Sequence, residues 1–376
     1  MRRPLPLTGE RLQVEKILCD KNPVRHIEKH FWIKNKDGAM CLMSPLKWGQ
    51  RKLLSLRHYQ RYIWKCPGRV ITLKSRQVGV STEEERHIYD EVRKHELNGL
   101  VIAHDSKTSE RIFEMCKRFH RYYDMDKPRE DLDNKRELKF KDHEGLIEVV
   151  TANQTEAVRS RTLQVIHGSE VAFWEKGVNA AVALMQTVPK RVHTWVNLES
   201  TANGEDPLFK PYWDNAYRHC KIEFYEDERS PFGFHIERSL VRTEKWNGYH
   251  PLFIGAYEDE DCWSPLIQGE AEIIESTLTP YEEMLLKQLN VKHEFIKWRR
   301  EVLYEKCQGD EQIMKREYPC TPSESFMSSA RPRFNISSLD AMPIVTPRVG
   351  SLVRSDRFNR DITFLPDPHG LWSVWV

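Results

Sequence analysis

The chain has 376 residues, 39% hydrophobic and 30% charged, with 58 Lys and Arg against 56 Asp and Glu for a formal net charge of +2. That length accommodates one large or two medium domains with a substantial core, and the composition excludes a disordered chain. No apolar run approaches the roughly 18 residues a membrane span needs, the basic N-terminus lacks the apolar stretch of a signal peptide, and the eight cysteines form no C-x-x-C pair; a protein of the cytoplasm with reduced thiols, no zinc site and no membrane partner is expected. The near-neutral balance does not advertise nucleic-acid binding, so any such contact has to be local.

Residues 1 to about 48 read as a mostly helical N-terminal section. His26-Ile27-Glu28-Lys29-His30 sets two histidines four apart, but in the wrong order for H-E-x-x-H, and two surface or half-buried histidines are expected. The basic stretch Lys47 to Lys52 is either a local nucleic-acid contact or a solvated face. From about 49 to 225 strands and helices alternate, as in a mostly parallel sheet covered on both faces, with strands expected at 69–74, 100–104, 146–151, 163–167 and 192–198.

The most informative segment is V-I-T-L-K-S-R-Q-V-G-V-S-T, from Val70 to Thr82, where an apolar strand runs into a turn built like a phosphate-binding loop. Such a loop needs a supporting strand, backbone N–H groups that curl round the phosphates, a cation, and a hydroxyl for Mg²⁺ where a helix begins. Ser75, Arg76, Gln77, Val78 and Gly79 form the turn, Ser81 or Thr82 offers the hydroxyl, and a helix is expected over 83–93. The lysine that normally follows the glycine is replaced by Val80, so the cation is expected upstream, at Lys74 or Arg76.

The second strand that bears on chemistry, Leu163 to His167, ends at Gly168-Ser169-Glu170. A carboxylate at a strand's C-terminal end faces the ligand crevice of an open α/β sheet, so Glu170 is the candidate for polarising an attacking water. Ser169 stands where an aspartate usually helps hold Mg²⁺, and the metal is expected to rest on Ser81, the phosphates and water, with Ser169 contributing through water. A further strand runs into Glu199-Ser200-Thr201-Ala202-Asn203-Gly204, which taken alone reads as an ordinary turn. From 225 to 275 the pattern loosens, suggesting a lid; Pro280 opens a helical region through about Glu317 whose basic stretch Lys297 to Arg300, containing W-R-R, is either a local nucleic-acid contact or a solvated face, with Trp298 equally readable as a packing anchor. Beyond Pro322 a linker-like stretch leads to Val376.

Taken together, N-P-V-R-H-I-E-K-H-F-W-I from Asn22, Q-R-K-L-L from Gln50, L-K-S-R-Q-V-G-V-S-T, H-G-S-E-V-A-F-W, E-S-T-A-N-G, W-R-R and R-E-Y-P-C-T-P-S-E-S-F from Arg316 resemble the large terminase subunit of tailed bacteriophages. The resemblance implies a P-loop ATPase of the ASCE type, working with ATP and Mg²⁺ on double-stranded DNA as a homo-oligomeric ring, with the procapsid portal and the small terminase subunit as partners, in the host cytoplasm. It implies Gln50 at the adenine edge, in preference to Gln60; Lys74 or Arg76 as the displaced cation; Glu170 as the catalytic carboxylate; and Ser200, Thr201, Ala202 and Asn203 as the motif coupling hydrolysis to movement. Arg159 and Arg161 are the candidates for an arginine finger, worth about 10³ to 10⁵ in turnover, against the alternative of a solvated loop. The domains expected are a helical section at 1–48, the ATPase core at 49–225, a lid and helical subdomain at 226–335, and a linker at 336–376 toward a nuclease domain that the chain is expected to lack. A helicase on the same fold, and a nucleotide-binding scaffold with a degenerate site, are the competing readings.

Overall fold

The computed structural model describes residues 4–141, 143–154, 161–175, 177–241, 243–326 and two short strands at 350–353 and 361–364. The chain divides into two units, 1–329 and 330–376. The first begins with helices α1 (Gly9–Lys21) and α2 (Pro23–His30), a two-stranded ribbon of β1 (Trp32–Lys34) and β2 (Met40–Leu42), and helix α3 (Trp48–His58). Then come β3 (Gly68–Lys74), α4 (Val80–His95), β4 (Asn98–Ala103), α5 (Ser106–Tyr122), β5 (Glu130–Asp133), β6 (Glu137–Phe140), β7 (Leu146–Thr151), β8 (Val165–Ser169), α6 (Gly177–Thr187), β9 (Trp195–Ser200) and α7 (Phe209–His219). An antiparallel hairpin of β10 (Cys220–Glu226) and β11 (Phe234–Leu240) precedes β12 (His250–Ile254). The helices α8 (Glu270–Ser276), α9 (Pro280–Leu289), α10 (His293–Glu305), α11 (Glu311–Glu317) and α12 (Pro322–Ser325) follow. In the second unit, β13 (Gly350–Val353) pairs antiparallel with β14 (Asp361–Phe364).

Among the described residues, eight strands make one sheet in the order β12-β3-β9-β8-β4-β7-β6-β5, parallel from β12 to β7 and antiparallel beyond. The strand that feeds the phosphate-type loop, β3, is separated from the carboxylate-bearing β8 by one additional strand, β9. Strand alternation divides the core: Val70 and Val101 pack with Leu53, Ile88, Tyr89 and Phe113 on the face covered by α3, α4 and α5, whereas Ile71, Leu73 and Ile102 pack with Leu184, Phe209 and Trp213 on the face covered by α6 and α7. A third apolar cluster, including Leu285, Phe295, Trp298 and Met314, holds the helical region together.

Several sequence-based expectations shift. The parallel sheet takes its edge strand from His250–Ile254, inside the stretch read as a lid, because an apolar five-residue run fits a strand as well as an irregular segment and only β3 beside it decides. The carboxylate strand is Val165–Ser169 and the next is Trp195–Ser200, each ending two residues later than the pattern indicated. His26 and His30 are buried, His26 bonding to the Tyr123 hydroxyl at 2.8 Å and His30 to Asp124 at 2.7 Å. Glu15, Cys19 and His30 bring ligand atoms within 4.8 Å of one another, but Arg25 holds both Glu15 oxygens at 3.0 Å and burial pushes the Cys19 thiol up to about 11.

The two basic stretches are also accounted for internally. Lys47 pairs with Asp259 and Asp261 at 2.7 Å, Arg51 with Glu28 at 3.0 Å and Lys52 with Glu258 at 2.8 Å. In the W-R-R segment Trp298 stacks on Phe295 in the core, Arg299 pairs with Glu311 and Arg300 with Glu282.

Burial holds several histidines neutral, lowering His26 and His250 to about 3 and His120 to about 4 from an ordinary 6.5. Because the folded values lie below the unfolded one, the unfolded chain takes up more protons in this window. The stability these side chains contribute is therefore complete above pH ~6.5 and is lost as pH falls, by up to about 1.4 kcal/mol per pH unit for each. Thermal unfolding followed by circular dichroism is expected to show Tm dropping steadily from pH 7 to pH 5; a flat profile would contradict the buried neutral assignment.

Candidate active site

The loop after β3 is held from three sides. Ser75 donates its backbone N–H to Ile254 O at the end of β12, at 2.9 Å, and Arg76 donates its own to Glu317 O at 3.2 Å while its guanidinium pairs with the Glu317 carboxylate. Gln50, from α3, donates its amide to Gly79 O at 3.0 Å and accepts from Lys47 N at 3.1 Å. Gln50 is thus buried against the loop with both ends of its amide engaged, while Gln60 bonds to Arg69 O at the start of β3.

Gly79 lies in the left-handed region at φ +80 and caps α4, and an added Cβ would come within 2.7 Å of the Gln50 Nε2. The helix begins at Val80, three residues before the expected 83, so Val80, Ser81 and Thr82 form its first turn, where unpaired backbone N–H groups gather. Lys74, Arg76, Gln77, Val78, Gly79, Val80, Ser81, Thr82, Met115 and Glu170 enclose a cavity of about 330 Å³ beside this turn. Of the two hydroxyl candidates, Ser81 donates to Glu199 at 2.9 Å, whereas Thr82 faces the Met115 sulfur at 3.9 Å. Of the two cation candidates, Lys74 is buried between carboxylates and Arg76 is half exposed on Glu317.

Glu170, just past β8, sits in the left-handed region at φ 50, a conformation that side chains rarely adopt and that tertiary contacts must hold. Its Oε1 accepts from Lys74 Nζ at 3.1 Å, and its Oε2 faces Ser200 Oγ at 3.4 Å and the Thr201 N–H and hydroxyl at 3.3 Å. Asn203 donates to Ala172 O at 3.1 Å, and Ala202 is buried with the second core cluster. The segment that alone reads as a turn is therefore bonded to the carboxylate and to the backbone just beyond it.

Three residues that pattern reading did not single out complete the site. Glu199, at the end of β9 and fully buried, accepts on Oε1 from Ser81, from Ser169 at 2.9 Å and from His167 Nε2 at 3.2 Å, and its Oε2 lies 3.0 Å from Lys74 Nζ. His167 Nδ1 meets Glu85 Oε1 at 2.7 Å. With a carboxylate on each ring nitrogen, His167 donates from both. Burial opposes its charge, but Glu199 and Glu85 outweigh that and push it up to about 10. Burial likewise opposes the charges of Lys74 and Glu199, yet Glu199 and Glu170 hold the Lys74 ammonium above its ordinary value, and Lys74 and His167 hold the Glu199 carboxyl well below the usual range. Glu85, with burial its largest influence, is raised. The available signal for Glu199 and His167 was polarity inside strands otherwise apolar on both faces; Glu85 lies on α4.

The finger candidates divide. Arg159 lies outside the described residues. Arg161 precedes β8 rather than following it and pairs with Glu148, midway along β7. Through Leu100 of β4, Glu148 stands level with Ile166, so the Arg161 guanidinium lies short of the strand end that carries Glu170, and Arg161 is not among the residues lining the loop cavity.

Among solved structures the chain is similar to the large terminase ATPase domain of Thermus phage P74-26, at 13% identity over 66% of this chain and 86% of that one, with a TM-score of 0.38. It is also similar to the large terminase of a thermophilic bacteriophage, at 14% identity over 64% of this chain and 52% of that one, with a TM-score of 0.38. A third is the Phi-28 gp11 DNA packaging motor, at 11% identity over 61% and 63% of the two chains, with a TM-score of 0.32. No protein-family model matches the chain, and no curated protein does.

The two constraints on Gly79 can be separated. Gly79→Ala is expected to lower stability by the left-handed cost of about 1–2 kcal/mol plus the clash with Gln50, whereas Gly204→Ala, also at positive φ but with open space around it, bears the conformational cost alone. Denaturant unfolding of the two variants checks this; equal losses would mean that Gln50 yields freely.

Proposed function

We propose that the chain is the ATP-hydrolysing motor of a viral DNA-packaging terminase. The observation that carries the ATPase part is the convergence of Lys74 and Glu170, 3.1 Å apart, on a cavity walled by a left-handed glycine turn and the first turn of α4. Phosphates in that cavity would meet the loop N–H groups of Gln77 to Ser81, the positive end of α4 and the Lys74 ammonium. Lys74 suits the cation role better than Arg76, which is committed to Glu317. Glu170, partly exposed and paired with Lys74, would orient the attacking water and take its proton.

The donor set beside the phosphates is made of hard oxygens, the Ser81 and Ser169 hydroxyls and the Glu170 and Glu199 carboxylates, and the buried Ser75 Oγ has no partner among the described residues. Three carboxylates, Glu85, Glu170 and Glu199, stand against two cations, Lys74 and His167. This set fits Mg²⁺, with Ser81 as the protein ligand; bound there with ATP, Mg²⁺ would neutralise phosphate charge. A change in the partners of Glu170 during turnover would be felt at once by Ser200 and Thr201, and movement of Arg76 by the helical region through Glu317. These are the two routes by which hydrolysis would reach DNA-handling surfaces.

The packaging role, the ring, the double-stranded DNA, the portal, the small subunit and the host cytoplasm rest on the sequence resemblance. A finger supplied by a neighbouring copy is consistent with Arg161 lying away from its own loop.

Glu170→Gln is expected to cut steady-state ATP hydrolysis by about 10² or more while ATP affinity stays within a few-fold. Turnover measured against protein concentration, with and without double-stranded DNA, tests the motor: specific activity is expected to rise with concentration. Normal hydrolysis by Glu170→Gln would remove the catalytic assignment. Lys74→Met is expected to weaken ATP binding more than Arg76→Met; the reverse order would move the cation to Arg76.

A further inference from the structure

We propose that Glu199, and not residue 169, supplies the carboxylate that faces the Mg²⁺ of the nucleotide, and that the His167–Glu85 pair behind it is its positioning device. The proposal rests on the ATPase reading above and deepens it. Ser169 and Glu199 are register partners on β8 and β9, so the carboxylate is displaced by one strand, toward the strand that carries the loop.

The side chain is fully buried, and its Oε1 gathers the Ser81, Ser169 and His167 donors while Oε2 lies 3.0 Å from the Lys74 ammonium and has no other partner among the described residues. A serine that gives its proton to a buried carboxylate keeps its lone pairs for a cation, the arrangement a metal-ligating hydroxyl requires. Ser169 donates its hydroxyl to the same Glu199 oxygen at 2.9 Å and brings no carboxylate of its own. Behind the carboxylate, His167 is clamped between Glu199 and Glu85, and Glu85 is further fixed by the Cys116 thiol at 2.9 Å, so the carboxylate has little freedom to turn away.

The test is binding of a fluorescent ATP analogue to the full chain in EDTA and in Mg²⁺, with Mn²⁺ electron paramagnetic resonance of the same samples. Wild type is expected to bind more tightly with the metal. Glu199→Gln is expected to lose about 10- to 100-fold in metal affinity, with its EDTA affinity within about twofold of wild type. Ser169→Ala is expected to keep the metal response, and Ser169→Asp added to Glu199→Gln to restore part of it. If Glu199→Gln does not fold by circular dichroism, Glu199→Asp takes its place, with a several-fold higher Mn²⁺ requirement expected. An unchanged metal response in the Glu199 variant overturns the assignment and leaves the ATPase reading standing. Absence of nucleotide binding by wild type in both conditions overturns the ATPase reading, and this assignment with it.

Discussion

Charge buried beneath the phosphate-type loop has to be matched side chain by side chain, and that requirement organises the molecule around α4. Glu83, Glu84 and Glu85 are consecutive and all fully buried. Glu83 is held by Arg57 and Arg86, Glu84 by Arg57 and the Trp195 indole, and Glu85 by His167 and Cys116. An ionised carboxylate in such a place is tolerated only when paired and hydrogen-bonded, and losing one partner leaves a charge that water cannot reach. The helix is therefore tied at once to α3 through Arg57, to β8 through His167 and to β9 through Trp195. The first turn of the same helix walls the cavity, so the pairing that stabilises the core also sets where Ser81 stands.

The sheet order then converts strand ends into a site. Since β9 lies between β3 and β8, the ends of three adjacent strands deliver Lys74, Glu199 and Glu170 to one point. Each residue contributes little alone. Lys74 is held by two carboxylates, Glu170 by Lys74 and the Ser200–Thr201 segment, and Glu199 by Lys74, His167, Ser169 and Ser81 from two strands and a helix. Side chains restrained in this way lose little freedom when a ligand arrives, which is the condition for positioning a water against a phosphate. The left-handed Glu170 backbone is the local strain that this web holds in place.

Beyond the sheet, the helical region 256–326 reaches the loop by short polar links, while Phe326 at its end packs against the second core cluster. Arg76 donates its N–H to Glu317 O at 3.2 Å and pairs with the Glu317 carboxylate, and Lys47, beside α3, bridges to Asp259 and Asp261. Partly exposed ion pairs of this kind are individually weak and exchangeable. The apolar cluster inside the region is what keeps its own shape.

The amino-acid sequence by itself determined the alternation of strands and helices, the phosphate-type turn at Val70 to Thr82, and the carboxylate at Glu170, because apolar periodicity, a glycine in a basic turn and an acid after a buried run are local signals. It left Lys74 and Arg76, and Ser81 and Thr82, as open pairs. Tertiary structure gives the members of each pair different contacts: Lys74 against two carboxylates and Arg76 on Glu317, Ser81 on Glu199 and Thr82 facing Met115. It also decided what no window of residues contains: β12 as the sheet edge, the basic stretches at Lys47 to Lys52 and Trp298 to Arg300 as internal partners, and Glu199, His167 and Glu85 as one chain of bonds. Those outcomes depend on which strands lie side by side. The dielectric surroundings and the partners of a buried charge come from residues far away in sequence, so only the fold assigns them.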